Sequence, residues 1–184
     1  MAVRAIVVYP HPVLTTPTRP VEAVDEEVRT LVADMVDTMR AERGVGLAAN
    51  QVGESRRLMV VDVSAGEDPE ALTVLINPRL LKTSGRQSGD EGCLSFPGIF
   101  EVITRPAKAV IEGMTLDGET VQVEAEDFFA RALLHELDHL DGVVFLQRMS
   151  PLKRRLVQRQ IRRLRESGEW PETVLPEATE PAQG

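Results

Sequence analysis

Apolar residues recur along this chain with two different periods. In "VDEEVRTLVADMVDTMRAERG", Val28, Leu31, Val32, Met35 and Met39 fall at helical spacing, with Asp25 as the expected N-cap and Gly44 as the stop. Two β-rich runs follow, "LMVVDV" (58–63) and "TVLINP" (73–78), divided by the polar turn "SAGEDPE". "KAVIEGMTLDGETVQVEA" alternates around Asp117-Gly118 and predicts a hairpin. "DFFARALLHELDHLDG" returns to the helical period and stops at Gly142. A last helix, "PLKRRLVQRQIRRLRE", is expected from Ser150 as N-cap and Pro151 in its first turn, with Leu152, Leu156, Val157, Ile161 and Leu164 as its apolar stripe. "RAIVVYPHPVL" reads as a short strand stopped by Pro10 and Pro12. The order predicts an α+β domain, antiparallel strands around a central helix with an N-terminal and a C-terminal helix outside. One domain over residues 1–168 is expected, its last helix at about 151–166, with the Pro- and Glu-rich 169–184 as a flexible tail.

Composition narrows the class. At 184 residues, 42% apolar and 27% charged, the chain can bury a core without staples, and aromatics at 4% leave that core mostly aliphatic. Cys93 is the only cysteine, so no intrachain disulfide exists and a reducing compartment is expected. No run of 18 apolar residues is present, which excludes a membrane-spanning helix. The N-terminus has neither signal nor transit character, and a bacterial cytoplasmic location is expected. The net charge of −8 argues against non-specific nucleic-acid binding by the body of the protein, and no specific DNA partner is expected. That average hides eight Lys/Arg and no acid between Gly142 and Arg165, a basic helix that suits RNA phosphates as readily as a solvated face.

The chemistry lies in three segments. "HELDH" puts His135 and His139 at i and i+4 on one helix face, able to converge on one ion, with Glu136 beside them to relay protons for a metal-bound water. "DEGCLSFPG" (90–98) presents Cys93 in a short loop. A thiolate with two imidazoles is a three-ligand set with an open fourth position, the layout of a catalytic site. A Cys93/His135 nucleophile pair is the rival reading, but it leaves His139 and Glu136 without roles. "GVGLAANQVG" (44–53) allows close backbone approach and is not a phosphate loop, lacking the Lys-Ser/Thr and a preceding strand. A zinc endopeptidase would want a further ligand downstream, where the chain has no histidine. A non-catalytic metal module would have no use for Glu136 or Gln51.

"GVGLAANQ", "EGCLS" and "HELDH", in this order, resemble the three signature motifs of peptide deformylases, and the likeness runs from "YPHPVL" through "INP" and "RP" to "HLDGVVF", about three quarters of the chain. The resemblance implies Cys93, His135 and His139 as metal ligands, Glu136 as general base and then acid, and Gln51 with the Leu94 N–H as oxyanion donors. It implies an extended N-formylmethionyl nascent peptide held by the backbone at Val45 and Gly46 and by the Cys93–Phe96 loop, with Val45, Leu94 and Phe96 facing the methionine. Glu91 and Arg105 are expected to pair and brace the cysteine loop. Fe(II) is the expected ion, and Zn, Ni or Co suit the same donors. The chain departs from the family pattern at Asn50, where Pro is common, at Leu134, where many members have Gln, and at His11, which replaces an Asp.

Overall fold

The computed structural model describes residues 2–175. The first elements are β1 (Ile6–Val7), α1 (Glu26–Ala41), β2 (Gly46–Ala48), β3 (Leu58–Val61) and β4 (Thr73–Ser84). Then come β5 (Gln87–Gly92), β6 (Phe100–Arg105), β7 (Lys108–Met114), β8 (Thr120–Glu126), α2 (Asp127–Leu140), α3 (Pro151–Glu166) and β9 (Thr173–Val174). Strands β2-β3-β4-β7-β8 form an antiparallel sheet, while β5-β6 and β1-β9 pair separately. The α+β expectation, with its central and flanking helices, agrees with this architecture.

Strand β3 shows why the sheet is central. All four of its residues are fully buried. Met59 and Val61 pack with Leu133, Leu137 and Leu140 of α2, whereas Leu58 and Val60 pack with Leu31, Val32 and Met35 of α1. The period-2 alternation thus feeds two helices on opposite faces, and the run is apolar throughout because neither face meets water.

The helix ends follow local chemistry. The Asp25 carboxylate accepts from Val28 N–H at 2.9 Å, and the Ser150 hydroxyl accepts from Lys153 N–H at 3.3 Å. At the end of α2, Gly142 (φ 71°) donates to His139 O and Val143 donates to Asp138 O, the paired bonds that close a helix through a left-handed residue. Helix α1 closes in the same way, but Arg43 (φ 54°), not Gly44, takes the left-handed position. A Cβ at Gly44 would lie 3.0 Å from Leu94 Cδ1, so that side chain would have to shift to admit it.

Several expectations are revised. β4 continues past Pro78 to Ser84, because register shifts between Ile76 and Lys82 absorb the Asn77-Pro78 kink and keep the pairing with β7. Asp90, Glu91 and Gly92, expected in a loop, end strand β5. The apolar stripe of α3 is narrower than its sequence: Val157 and Ile161 are buried, while Leu152 and Leu156 are exposed. Within the segment after α3, expected to be a flexible tail, Leu175 is exposed but two contacts reach back to the body. Trp170 is buried and its indole N–H donates to Tyr9 O at 2.7 Å, and β9 pairs with β1. Burying one indole against Val8, Phe96 and Ile161 offsets the polar composition around it. Residues 176–184 lie outside the described residues.

Candidate active site

Helix α2 runs through the middle of the molecule, and its residues 130–140 are all buried. His135 and His139 therefore project from one face into protein rather than solvent, their ring centroids 4.9 Å apart. Cys93 follows directly on β5, which brings its sulfur 3.2 Å from His139 Nε2. The ligating atoms of Cys93, His135 and His139 all lie within 4.8 Å of one another. Three soft or borderline donors converging at this site fit a transition-metal ion.

Glu91 sits behind this cluster. Its Oε2 lies 3.0 Å from His135 Nδ1, so a proton on Nδ1 would leave Nε2 free for a metal. Arg105 grips the same carboxylate with Nε at 2.5 Å and Nη2 at 2.9 Å, and Arg131 adds Nη1 at 2.7 Å. Arg105 also reaches Asp138 Oδ2 at 2.8 Å, where Arg148 closes the network. Burial pushes the Glu91 carboxyl up, but the His135 imidazole and the Arg105 guanidinium outweigh it and hold Glu91 down to about 2.

Burial works against the charged form of both imidazoles. At His135 it is outweighed by the Cys93 sulfur and the Glu91 carboxylate, which hold the group up to about 10. His139, with the charges of His135 and Arg105 nearby, is pushed well below its ordinary value. Glu136 is pushed up to about 7 by burial, against the pull of His135 and Arg105. Its Oε2 is buried without a hydrogen-bond partner among the described residues. A carboxylate poised near neutrality with an unengaged oxygen is suited to carrying a proton in either direction. Gly46 makes room for it, because a Cβ at that position would collide with the Glu136 carboxylate.

Gln51 occupies a 3-10 turn, Ala49–Val52, immediately after β2. Its Oε1 accepts from Ala48 N–H at 2.9 Å, which turns Nε2 toward Ser95 Oγ (3.3 Å) and Cys93 Sγ (3.7 Å). The Leu94 N–H, next to Cys93, donates to no group among the described residues. Both donors border a cavity of about 640 Å³ whose walls include Val45, Gly46, Leu94, Phe96, Phe100, Phe128 and Ala132, with Cys93, His135 and Glu136 at its base. β2 is an edge of the large sheet, leaving its outer backbone free to pair along this cavity.

Of the residues singled out from sequence, Cys93, His135, Glu136, Gln51, Leu94, Val45, Gly46, Phe96 and Glu91 all border this cavity. His139 lies behind it, and Arg105 sits beneath it in the ion-pair network, touching Glu91 and not the cavity. Sequence reasoning missed Arg131, Asp138 and Arg148. A signal existed for the first two: each is a charge inside the apolar face of "ARALLHELDHL", and a buried charge needs a partner. It also missed Phe100 and Phe128, which stand exposed at the cavity mouth.

Comparison with known proteins supplies the frame for this geometry. Residues 3–155 match the model of the polypeptide deformylase family. A peptide deformylase of Acidobacterium capsulatum is 48% identical over 170 residues, covering 92% of this chain and 100% of that protein. One of Aquifex aeolicus is 42% identical over 166 residues, covering 90% and 98%. The crystal structure of a peptide deformylase from Legionella pneumophila superposes with a TM-score of 0.83 at 34% identity, over 98% of this chain and 100% of that one. The chain belongs to the polypeptide deformylase family, the metal-dependent hydrolases that remove the N-formyl group from newly made polypeptides.

Proposed function

We propose that Cys93, His135 and His139 hold the divalent metal of this deformylase, with Glu136, Gln51 and the Leu94 N–H carrying out the chemistry around it. The observation that supports this most is the buried convergence of three donor atoms on the floor of a cavity, beside a carboxylate pushed up to about 7. When bound, the ion supplies a Lewis acid for the formyl carbonyl and for the attacking water. Glu136 takes a proton from that water and later delivers it to the departing amine, giving formate and a free N-terminus. Gln51 Nε2, aimed by the Ala48 N–H bond on its other amide atom, and the Leu94 N–H meet the oxygen on which negative charge develops. Each such donor is worth about 3 kcal/mol in the transition state.

The substrate lies extended, paired with the backbone at Val45 and Gly46 on one side and with the Cys93–Phe96 loop on the other. Val45, Leu94 and Phe96 form the apolar surface for the methionine side chain. We assign Fe(II) as the native ion. The mixed thiolate and imidazole set supports a transition metal, and Zn, Ni and Co satisfy it too. Metal analysis of anaerobically purified protein tests that assignment.

We also infer one catalytic domain over residues 1–168, working in the bacterial cytoplasm; no helix among the described residues is long and apolar enough to cross a membrane. Docking to the ribosome falls to α3, where Lys153 is tied to Glu101 and Arg154 to Leu146 O and Gln147 O. Arg155, Arg159 and Arg162 have no ion-pair partner among the described residues and are exposed. Salt-sensitive cosedimentation with ribosomes, lost when these three become Glu, is the expected result; unchanged cosedimentation refutes it.

The test of the mechanism is formate release from a formyl-Met peptide by protein purified anaerobically and loaded with Fe(II) or Ni(II). Activity must vanish in Glu136→Ala with metal still bound, and Cys93→Ala must lose metal. Glu136→Ala turning over at the wild-type rate would overturn the assignment.

A further inference from the structure

We propose that Asn50 is a positioning residue whose side-chain amide locks the turn bearing Gln51 to the peptide of His139, and so sets metal retention and the aim of the oxyanion donor. The inference rests on the reading of His139 as ligand and Gln51 as donor. Asn50 is fully buried. Its Nδ2 donates to His139 O at 2.6 Å and faces Val13 O at 3.4 Å. Two carbonyls around one atom identify it as the nitrogen, since the amide oxygen cannot donate. The bond joins residues 89 positions apart and lands on the peptide of the ligand itself.

The neighbouring residue completes the connection. Gln51, held by Ala48 N–H, directs its own amide toward Cys93 and Ser95. A single four-residue turn thus touches the helix that carries both imidazoles and the loop that carries the thiol. The end of α2 has other anchors, but they act one residue later: Thr18 N and Oγ1, each 2.9 Å from Leu140 O, and Arg57 at 3.4 Å. Without Asn50 the helix end stays docked and His139 O keeps its local bond from Gly142 N–H, but the tie from that peptide to the Gln51 turn is lost.

Stability alone does not account for an asparagine here. Its Oδ1 is buried with no partner among the described residues, a defect that costs about 1–3 kcal/mol. A buried amide with half its capacity unmet is a poor choice for holding the fold and a good one for holding a single carbonyl in place.

Backbone geometry allows a clean test. Asn50 is the second residue of its 3-10 turn, where an N–H has no partner within the turn, so proline is tolerated there. Asn50→Pro therefore keeps the turn, removes the unmet acceptor and deletes only the link; Asn50→Ala deletes the link without stiffening the backbone. The probe is Co(II), loaded into wild type, both variants and His139→Ala. Measured are metal release to a chelator, the visible absorption bands, the unfolding temperature of the metal-free protein, and kcat and KM for a formyl-Met peptide.

In both variants Co(II) should leave about tenfold faster, the low end of effects for groups that support metal ligands. The Co(II) bands should shift and kcat should fall with KM unchanged, while Asn50→Pro unfolds near the wild-type temperature. Wild-type release, spectrum and kcat in both variants overturn the proposal, whatever happens to unfolding. His139→Ala separates this from failure of the underlying reading: if it holds Co(II) as tightly as wild type, the ligand assignment itself is wrong.

Discussion

Glu91→Gln, a change of a single heavy atom, should be costly to stability. The side chain is 4% exposed and accepts from Arg105, Arg131 and His135 at once. Neutralising it leaves the Arg131 guanidinium without a carboxylate and Arg105 sharing Asp138 with Arg148. Removing one partner from a buried ion pair costs about 3–5 kcal/mol, because the remaining charge stays desolvated. The acid equilibrium gives a second figure. A carboxylate held at about 2 instead of its ordinary 4.5 is worth about 3 kcal/mol at neutral pH. Because the folded value is the lower one, that stability is complete above 4.5 and is lost as pH falls toward 2. The assay is thermal and urea unfolding of metal-free protein, since bound metal adds its own stabilisation to the native state. For a chain of this size the loss corresponds to a fall of about 10 °C in Tm. A double replacement of Glu91 and Arg131 by Met should cost less than Glu91→Gln, since it removes the orphaned charge as well. If Glu91→Gln lowers stability by less than about 1 kcal/mol, the account of the network as a coupled buried unit is wrong.

Three other changes test separate parts of the structure. Gly46→Ala places a methyl group in the space of the Glu136 carboxylate and should cut kcat/KM about 100-fold while circular dichroism stays native; near-wild-type formate release would show that Glu136 can work from another position. Trp170→Ala removes a buried indole and its bond to Tyr9 O and should cost about 3 kcal/mol in urea unfolding, where a truly loose tail would cost nothing. Asp34 and Asp62 are held below the ordinary 3.8 despite burial, by Ala2 N–H and Arg4 at the first and by Ser64 and Arg40 at the second. Their contribution is present above that value and fades as pH falls below it, so Asp34→Asn with Asp62→Asn should flatten the acid limb of a Tm-versus-pH curve; an unchanged limb counts against both pairings.

What could be read from the sequence was whatever a short stretch settles by itself. Asp25 and Ser150 cap their helices because a side chain three residues from an orphan N–H needs no distant partner. Asp117-Gly118 turns β7 into β8 within a three-residue loop closed by Thr115 N–H on Glu119 O, with Gly118 at φ 82° in the left-handed position such a loop needs. His135 and His139 share a helix face by the same local logic, and the order of three motifs was enough to mark the family.

Contacts between distant segments were decided only by the fold. "QSGDEG" has no strand propensity, yet β5 forms because β6 pairs with it and because Arg105 and Arg131 reach its Glu91 from 14 and 40 residues away. The expected pairing of Glu91 with Arg105 is only part of a network whose other members lie on α2 and beyond. Asn50 looked like an open position in its motif; its partner, the carbonyl of His139, exists only once α2 lies across β2 and β3. The segment after α3 read as polar, and one tryptophan folded it back because a nearby apolar surface was there to receive it. Periodicity, caps and turns act over three or four residues and are written in the chain, whereas a buried charge or amide reveals its purpose only when the partner that satisfies it has been brought alongside.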